Sequence, residues 1–181
     1  MPRLMSAVRI RSPAPFSLPS IMDMSAGLAA ALSAGHILGM AVTVQCCVAG
    51  GGPAGMMLGY LLARAGVDTL VLEKHADFLR DFRGDTVHPS TLQVIYELGL
   101  LDAFLELPHE NLPRVEARFS ARRVTVADFG RLDTSCRFIA FMPQWDFLNF
   151  LAARARRYDR FKLMMRSEAT ELIEQMAASR A

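Results

Sequence analysis

Hydrophobic positions change their spacing several times along this chain, and each change marks an element. Residues 42–48 (VTVQCCV) form a short run of Val, Thr and Cys, apolar enough for a strand buried on both faces. Residues 54–65 form a long apolar stretch that predicts a helix, closed by Gly66 as its C-terminal cap. Residues 69–73 (TLVLE) predict a second strand. His88-Pro89-Ser90-Thr91 opens another helix, with Pro89 in its first turn and Gly99 as its stop. Short strands are expected at 115–119, 124–129 and 137–141. Trp145, Leu148, Leu151, Ala152 and Ala155 recur at helical spacing after Gln144. Residues 161–165 (FKLMM) predict a further strand, parallel to the first two. Residues 168–178 fit either a strand or the end of a helix. The pattern is α/β: a parallel sheet with helices on its faces, plus a small antiparallel excursion at 114–141.

The first forty residues have a different texture. Residues 1–20 show no hydrophobic period, and Pro13, Pro15 and Pro19 break any helix. No formally charged side chain occurs from Met24 to Ala63, which invites a membrane reading. Gly50-Gly51-Gly52-Pro53 interrupts that stretch, and its second half is better explained as a strand and a core helix. A signal peptide with residues 28–42 as its apolar core is also a poor fit. Its basic residues Arg9 and Arg11 lie far upstream, with Asp23 in between. Val8-Arg9-Ile10 is what a common transfer-RNA T-arm would encode in translation. Residues 1–39 are therefore expected to be a non-homologous leader, disordered or a gene-start artefact, with the true start at Met40, Met22 or Met24. No stable membrane span is expected, and the natural location is cytoplasmic.

Composition narrows the classes further. The chain has 181 residues with 20 basic and 18 acidic ones, a net charge of +2. This excludes a polybasic nucleic-acid module. Hydrophobic residues make up 52%, enough for a sizeable core. Three cysteines are too few for a disulfide scaffold. Adjacent Cys46 and Cys47 are expected to be buried hydrophobes, and no Cys or His pair has ligand spacing, so no metal is expected.

The segment around Gly50 carries the chemistry. Its order is strand, Gly50-x-Gly52-x-x-Gly55, helix, strand and then Glu73, a dinucleotide fingerprint. Gly50 allows the tight turn out of the strand. Gly52 lacks a Cβ, so backbone can approach a pyrophosphate. Gly55 lets the helix pack close, and Gly59 extends that small-residue face. Free amides and the helix dipole favour phosphate at this end. Glu73, at the end of the second strand, can accept hydrogen bonds from a ribose diol.

Residues 42–100 resemble the N-terminal part of class A flavoprotein monooxygenases, the FAD-dependent aromatic hydroxylases of the p-hydroxybenzoate hydroxylase type. The likeness rests on the triple glycine before Pro53-Ala54-Gly55, on Leu72-Glu73-Lys74 and on Arg83-Gly84. It continues more weakly through Pro143-Gln144-Trp145 to about residue 172. The resemblance implies that residues 40–181 are the N-terminal part of a Rossmann-like FAD/NAD(P)-binding domain. It implies FAD contacts from Gly50, Gly52, Pro53, Ala54 and Gly55, with Glu73 on the adenosine ribose and Lys74 beside it. It also implies contacts from Arg83 in its polar loop and from Gln144. Read without the resemblance, Arg83 is an exposed arginine paired with Asp81 or Asp85, and Gln144 is equally a plain helix cap.

The implied activity is hydroxylation of an aromatic or similar small organic substrate, with NAD(P)H as reductant of the FAD. Catalytic residues are not assigned. His88 reads as a helix-start residue, and His75 and His109 as loop residues. Two later family motifs are absent: an Asp-Gly motif, and a Gly-Asp motif for the FAD ribose. The chain therefore reads as an incomplete piece of a hydroxylase, with a partly uncovered sheet edge that predicts poor solubility. Alternatives are a truncated, non-catalytic FAD-binding fragment and another FAD-dependent oxidoreductase, such as an epoxidase, reductase or halogenase. A halogenase should carry a Trp-x-Trp-x-Ile motif, which the single Trp145 does not supply. An NAD-binding dehydrogenase would use Glu73 equally well, but the Arg83-Gly84 loop favours FAD.

Overall fold

The computed structural model describes residues 4–11, 42–79 and 85–176. Met40, the expected start, and Arg83 lie outside these residues. The central layer is a parallel sheet of three strands: β2 (Cys46–Ala49), β3 (Thr69–Leu72) and β9 (Phe161–Met164). Their order is β2-β3-β9, so β3 lies in the middle. Position in the sheet explains burial. All four residues of β3 are buried, as its continuous apolar run requires. β2 borders the described sheet on one side, so Cys46 and Cys47 are only half-buried. That corrects the expectation of a first strand and two cysteines buried on both faces.

Helix α1 (Pro53–Arg64) follows β2 and crosses to β3. Met56, Gly59, Tyr60 and Ala63 form its buried face, spaced by three and four residues as an amphipathic helix demands. At Gly59 the helix comes closest to the sheet: a Cβ there would lie 2.5 Å from Val71 Cγ2. Helix α4 (Gln144–Ala155) packs beside α1. The rings of Tyr60 and Tyr158 meet edge to face at 5.7 Å.

Helix α2 (Pro89–Glu97) stands where its start and stop signals put it. The short α3 (Leu101–Leu105) follows and was not expected from the pattern. Phe104 on α3 meets Phe147 at 5.9 Å and Phe150 at 5.2 Å, both edge to face. These rings join the core cluster that runs through Met56, Leu92, Ile95 and Leu151.

The antiparallel excursion is present in two parts. β4 (Thr86–Val87), β8 (Ile139–Phe141) and β5 (Glu110–Leu112) form one sheet in the order β4-β8-β5. β6 (Arg114–Phe119) and β7 (Arg122–Asp128) form a hairpin. The hairpin leaves Phe119 and Val126 exposed. Residues 168–178, open between strand and helix in the sequence, contain strand β10 (Glu168–Met176).

β10 pairs antiparallel with β1 (Leu4–Arg11). Leu4–Arg11 belongs to the segment expected as a leader. Val8 and Ile10 alternate with exposed Ala7, Arg9 and Arg11, a period-two pattern too short to stand out beside three prolines. Arg9 pairs with Glu171 at 2.5 Å across the ribbon.

Candidate functional site

The turn between β2 and α1 is built by contacts that exclude side chains. Gly50 has φ +113°, a conformation that L side chains rarely adopt. A Cβ on Gly55 would lie 1.9 Å from the Gly50 carbonyl oxygen. The turn is therefore closed on itself by two glycines. Gly52 is different: nothing lies within 4 Å of where its Cβ would be. Its missing side chain leaves open space in front of the helix.

Helix α1 begins at that space. Its hydrogen-bond ladder starts with the Met56 amide donating to the Gly52 carbonyl at 2.8 Å. The amides of Ala54 and Gly55 precede the ladder, and Pro53 has none to offer. The first turn holds no acidic residue and no side-chain cap, so the positive end of the helix dipole is not neutralised from within the helix.

Glu73 stands just past the end of β3 and is 6% exposed. Its Oε2 accepts from the Gly51 amide at 3.0 Å. Its Oε1 accepts from the His75 amide at 2.9 Å and lies 2.6 Å from His75 Nδ1. A buried carboxylate needs such partners. Glu73 thus ties the glycine-rich turn to the neighbouring strand end, which places an acceptor beside the turn.

Two cavities flank this turn. One, of about 300 Å³, is lined by Gly50, Glu73, Lys74 and His75, with Ser167 to Ala169 opposite. The other, of about 390 Å³, is lined by the first turns of three helices. They contribute Pro53 and Ala54 from α1, Ser90 and Thr91 from α2, and Gln144 from α4. Met57, Val87, Val94 and Phe147 make much of its wall apolar.

The expected site residues therefore divide. Gly50, Glu73 and Lys74 border the first cavity; Pro53, Ala54 and Gln144 border the second. Gly52 opens the space at the start of α1, and Gly55 serves the turn itself. Arg83 lies outside the described residues. Gly51, His75, Thr86, Ser90 and Thr91 also belong to the site and were missed. Gly51 sits inside the fingerprint and could have been found as a backbone donor. The others carry no spacing signal.

No group of three or more His, Cys, Asp or Glu among the described residues could hold a metal. Burial, and then the neighbouring Cys46, push the Cys47 thiol up from its ordinary 9.0, so it stays protonated at neutral pH and is no thiolate nucleophile. No described helix is long and apolar enough to cross a membrane. The donor set fits an extended nucleotide ligand with a pyrophosphate. It combines an open glycine at a helix start, a buried carboxylate beside the turn and a second, more apolar cavity.

The comparisons agree with that fit. A family profile described as an FAD binding domain matches residues 43–181. An aromatic compound monooxygenase of Bacillus subtilis is 32% identical over 109 residues, 58% of this chain and 20% of that protein. The 6-methylpretetramide 4-monooxygenase of Streptomyces rimosus is 29% identical over 132 residues, 71% of this chain and 31% of that protein. The solved structure of an anhydrotetracycline hydroxylase from Streptomyces rimosus superposes with a TM-score of 0.56 and 31% identity, covering 67% of this chain and 24% of that one. The chain thus spans a third or less of the length of these relatives.

Proposed function

The chain belongs to the FAD binding domain family, and we propose that it is the ADP-binding part of an NAD(P)H-dependent flavoprotein monooxygenase that hydroxylates an aromatic or similar small organic substrate. One observation carries the reading: Glu73 is held against the Gly51 amide, so ribose acceptor and phosphate-binding turn form one unit between two cavities.

FAD, when bound, supplies a two-electron couple that takes reducing equivalents from a nicotinamide cofactor and activates dioxygen. The chain's own residues bind and orient. Glu73 accepts hydrogen bonds from the adenosine ribose, with Lys74 at the rim of the same cavity. The amides of Ala54 and Gly55 would hold the pyrophosphate at the space that Gly52 leaves open. Gln144, at the start of α4, would hold the cofactor from the second cavity, and Arg83 would add a cofactor contact. The apolar wall of Met57, Val87 and Phe147 excludes water from the second cavity. Residues 40–181 are the N-terminal part of an FAD-binding domain, and the cytoplasm, which holds the nicotinamide pool, is its place of action.

Titrating the full chain with FAD and following flavin fluorescence tests the proposal. Saturable binding is expected, weakened at least ~10-fold in Gly52→Val and Glu73→Ala through lost approach and lost charged hydrogen bonds. A folded chain that does not bind FAD would refute it.

A further inference from the structure

Strand β1 lies outside residues 43–181, the part that the family profile matches. Its pairing with β10 is nonetheless specific. Val8 stands across from Leu172 and Arg9 from Glu171; the register then shifts, and Ile10 meets Ala169 and Arg11 meets Glu168. Thr170 is left without an opposite residue, as in a β-bulge. Its hydroxyl donates to the Arg9 carbonyl at 3.1 Å. The shift matters because side chains alternate along a strand. In a regular strand Glu168 and Glu171 would point to opposite faces. The extra residue puts both on one face, where Arg9 pairs with Glu171 at 2.5 Å and Arg11 with Glu168 at 3.9 Å. Val8, Ile10 and Ala169 share the other face and are half-buried.

The strand that β1 pairs with is a wall of the first cavity. Ser167, Glu168 and Ala169 line that cavity with Glu73 and Lys74. Ser167, whose amide donates to the Glu73 carbonyl at 2.8 Å, leads into β10. No residue of β1 lines the cavity itself, but Ile10 and Arg11 stand across from two that do. Among the described residues, β1 is the one strand that pairs with β10. A two-stranded ribbon is marginally stable by itself, so each contact across it counts in keeping β10 in place.

We propose that residues 4–11 are a strap of the nucleotide site, with Arg9 and Arg11 as positioning residues. They hold β10 so that Glu168 and Ala169 form a fixed wall beside the adenosine end of the ligand. Docking of the strap and binding of the nucleotide then favour each other. This rests on the reading of the first cavity as the nucleotide site.

Charge reversal in the full chain tests it. Arg9→Glu sets like charges across the ribbon, and neither Arg9 nor Glu171 lines the cavity. Competition against bound FAD, followed by flavin fluorescence, measures ADP and the uncharged adenosine. Arg9→Glu should weaken both by about 3-fold, within the range of an exposed ion pair. Adding Glu171→Arg, which restores the pair with its signs exchanged, should return both to wild-type affinity. Amide hydrogen exchange should show β10 less protected in Arg9→Glu, and ADP should slow exchange within β1 of the wild-type chain. Unchanged affinities, a loss confined to ADP (the mark of a charge field alone) or a loss that Glu171→Arg does not reverse would overturn the strap. A folded wild-type chain that binds neither FAD nor ADP would instead overturn the nucleotide-site reading itself.

Discussion

Gly52 and Gly55 lie three positions apart in one motif and do different jobs. A Cβ at Gly55 would meet the Gly50 carbonyl oxygen, a backbone atom that cannot swing away, at 1.9 Å. Gly55→Ala should therefore lower the unfolding free energy by at least ~3 kcal/mol, the upper range of overpacking costs. Gly52 has open space around it, so Gly52→Ala should cost ~1 kcal/mol or less, the scale of a poorer helix cap. Chemical denaturation of the two variants separates a glycine needed for the turn from one needed for a ligand. The spacing of these glycines was legible in the sequence because the motif is local. The Gly51–Glu73 and His75–Glu73 contacts were not. The first joins residues that only the parallel pairing of β2 and β3 brings together. The second depends on a rotamer that spacing does not encode.

At the scale of elements, long periodic segments were legible and short ones were not. Helices α1, α2 and α4 carry start signals and an apolar face over nine to twelve residues. Helix α3 has five residues and β4 has two, fewer than two cycles of either period and so too few to show a repeat. Such elements are held by what they pack against. Phe104 on α3 is 1% exposed and meets two rings of α4. Phe104→Ala should cost ~3–5 kcal/mol, read as a lowered thermal midpoint, although α3 shows no periodic signal. The strand at Leu4–Arg11 is a similar case, since its pattern has meaning only beside β10.

At the scale of the whole molecule, burial sets how stability responds to alkali. Desolvation pushes the Cys136 thiol up from its ordinary 9.0, and burial with Cys46 does the same for Cys47. Burial first, then the hydrogen bond and charge of Tyr158, raise the Tyr60 phenol from 10.0, against Arg64 and Arg154. Each group is held neutral in the fold, while the unfolded chain loses its protons sooner. Their contribution to stability is thus full below the ordinary values and is lost as pH rises through 9.0 and then 10.0 toward the raised ones. Urea unfolding along that range should show falling stability, and Tyr60→Phe with Cys136→Ala should flatten the fall. A wild-type profile that stays level would contradict these shifts. The sequence by itself determined the α/β class, the glycine turn and the acid after the second strand, because each is written in local spacing, and it pointed to the family through the resemblance of its motifs. Tertiary structure alone decided that β2 is half-buried, that three helix starts share one cavity, and that His75 holds Glu73. Those facts depend on which distant segments meet, and burial and hydrogen bonding belong to that meeting rather than to any one segment.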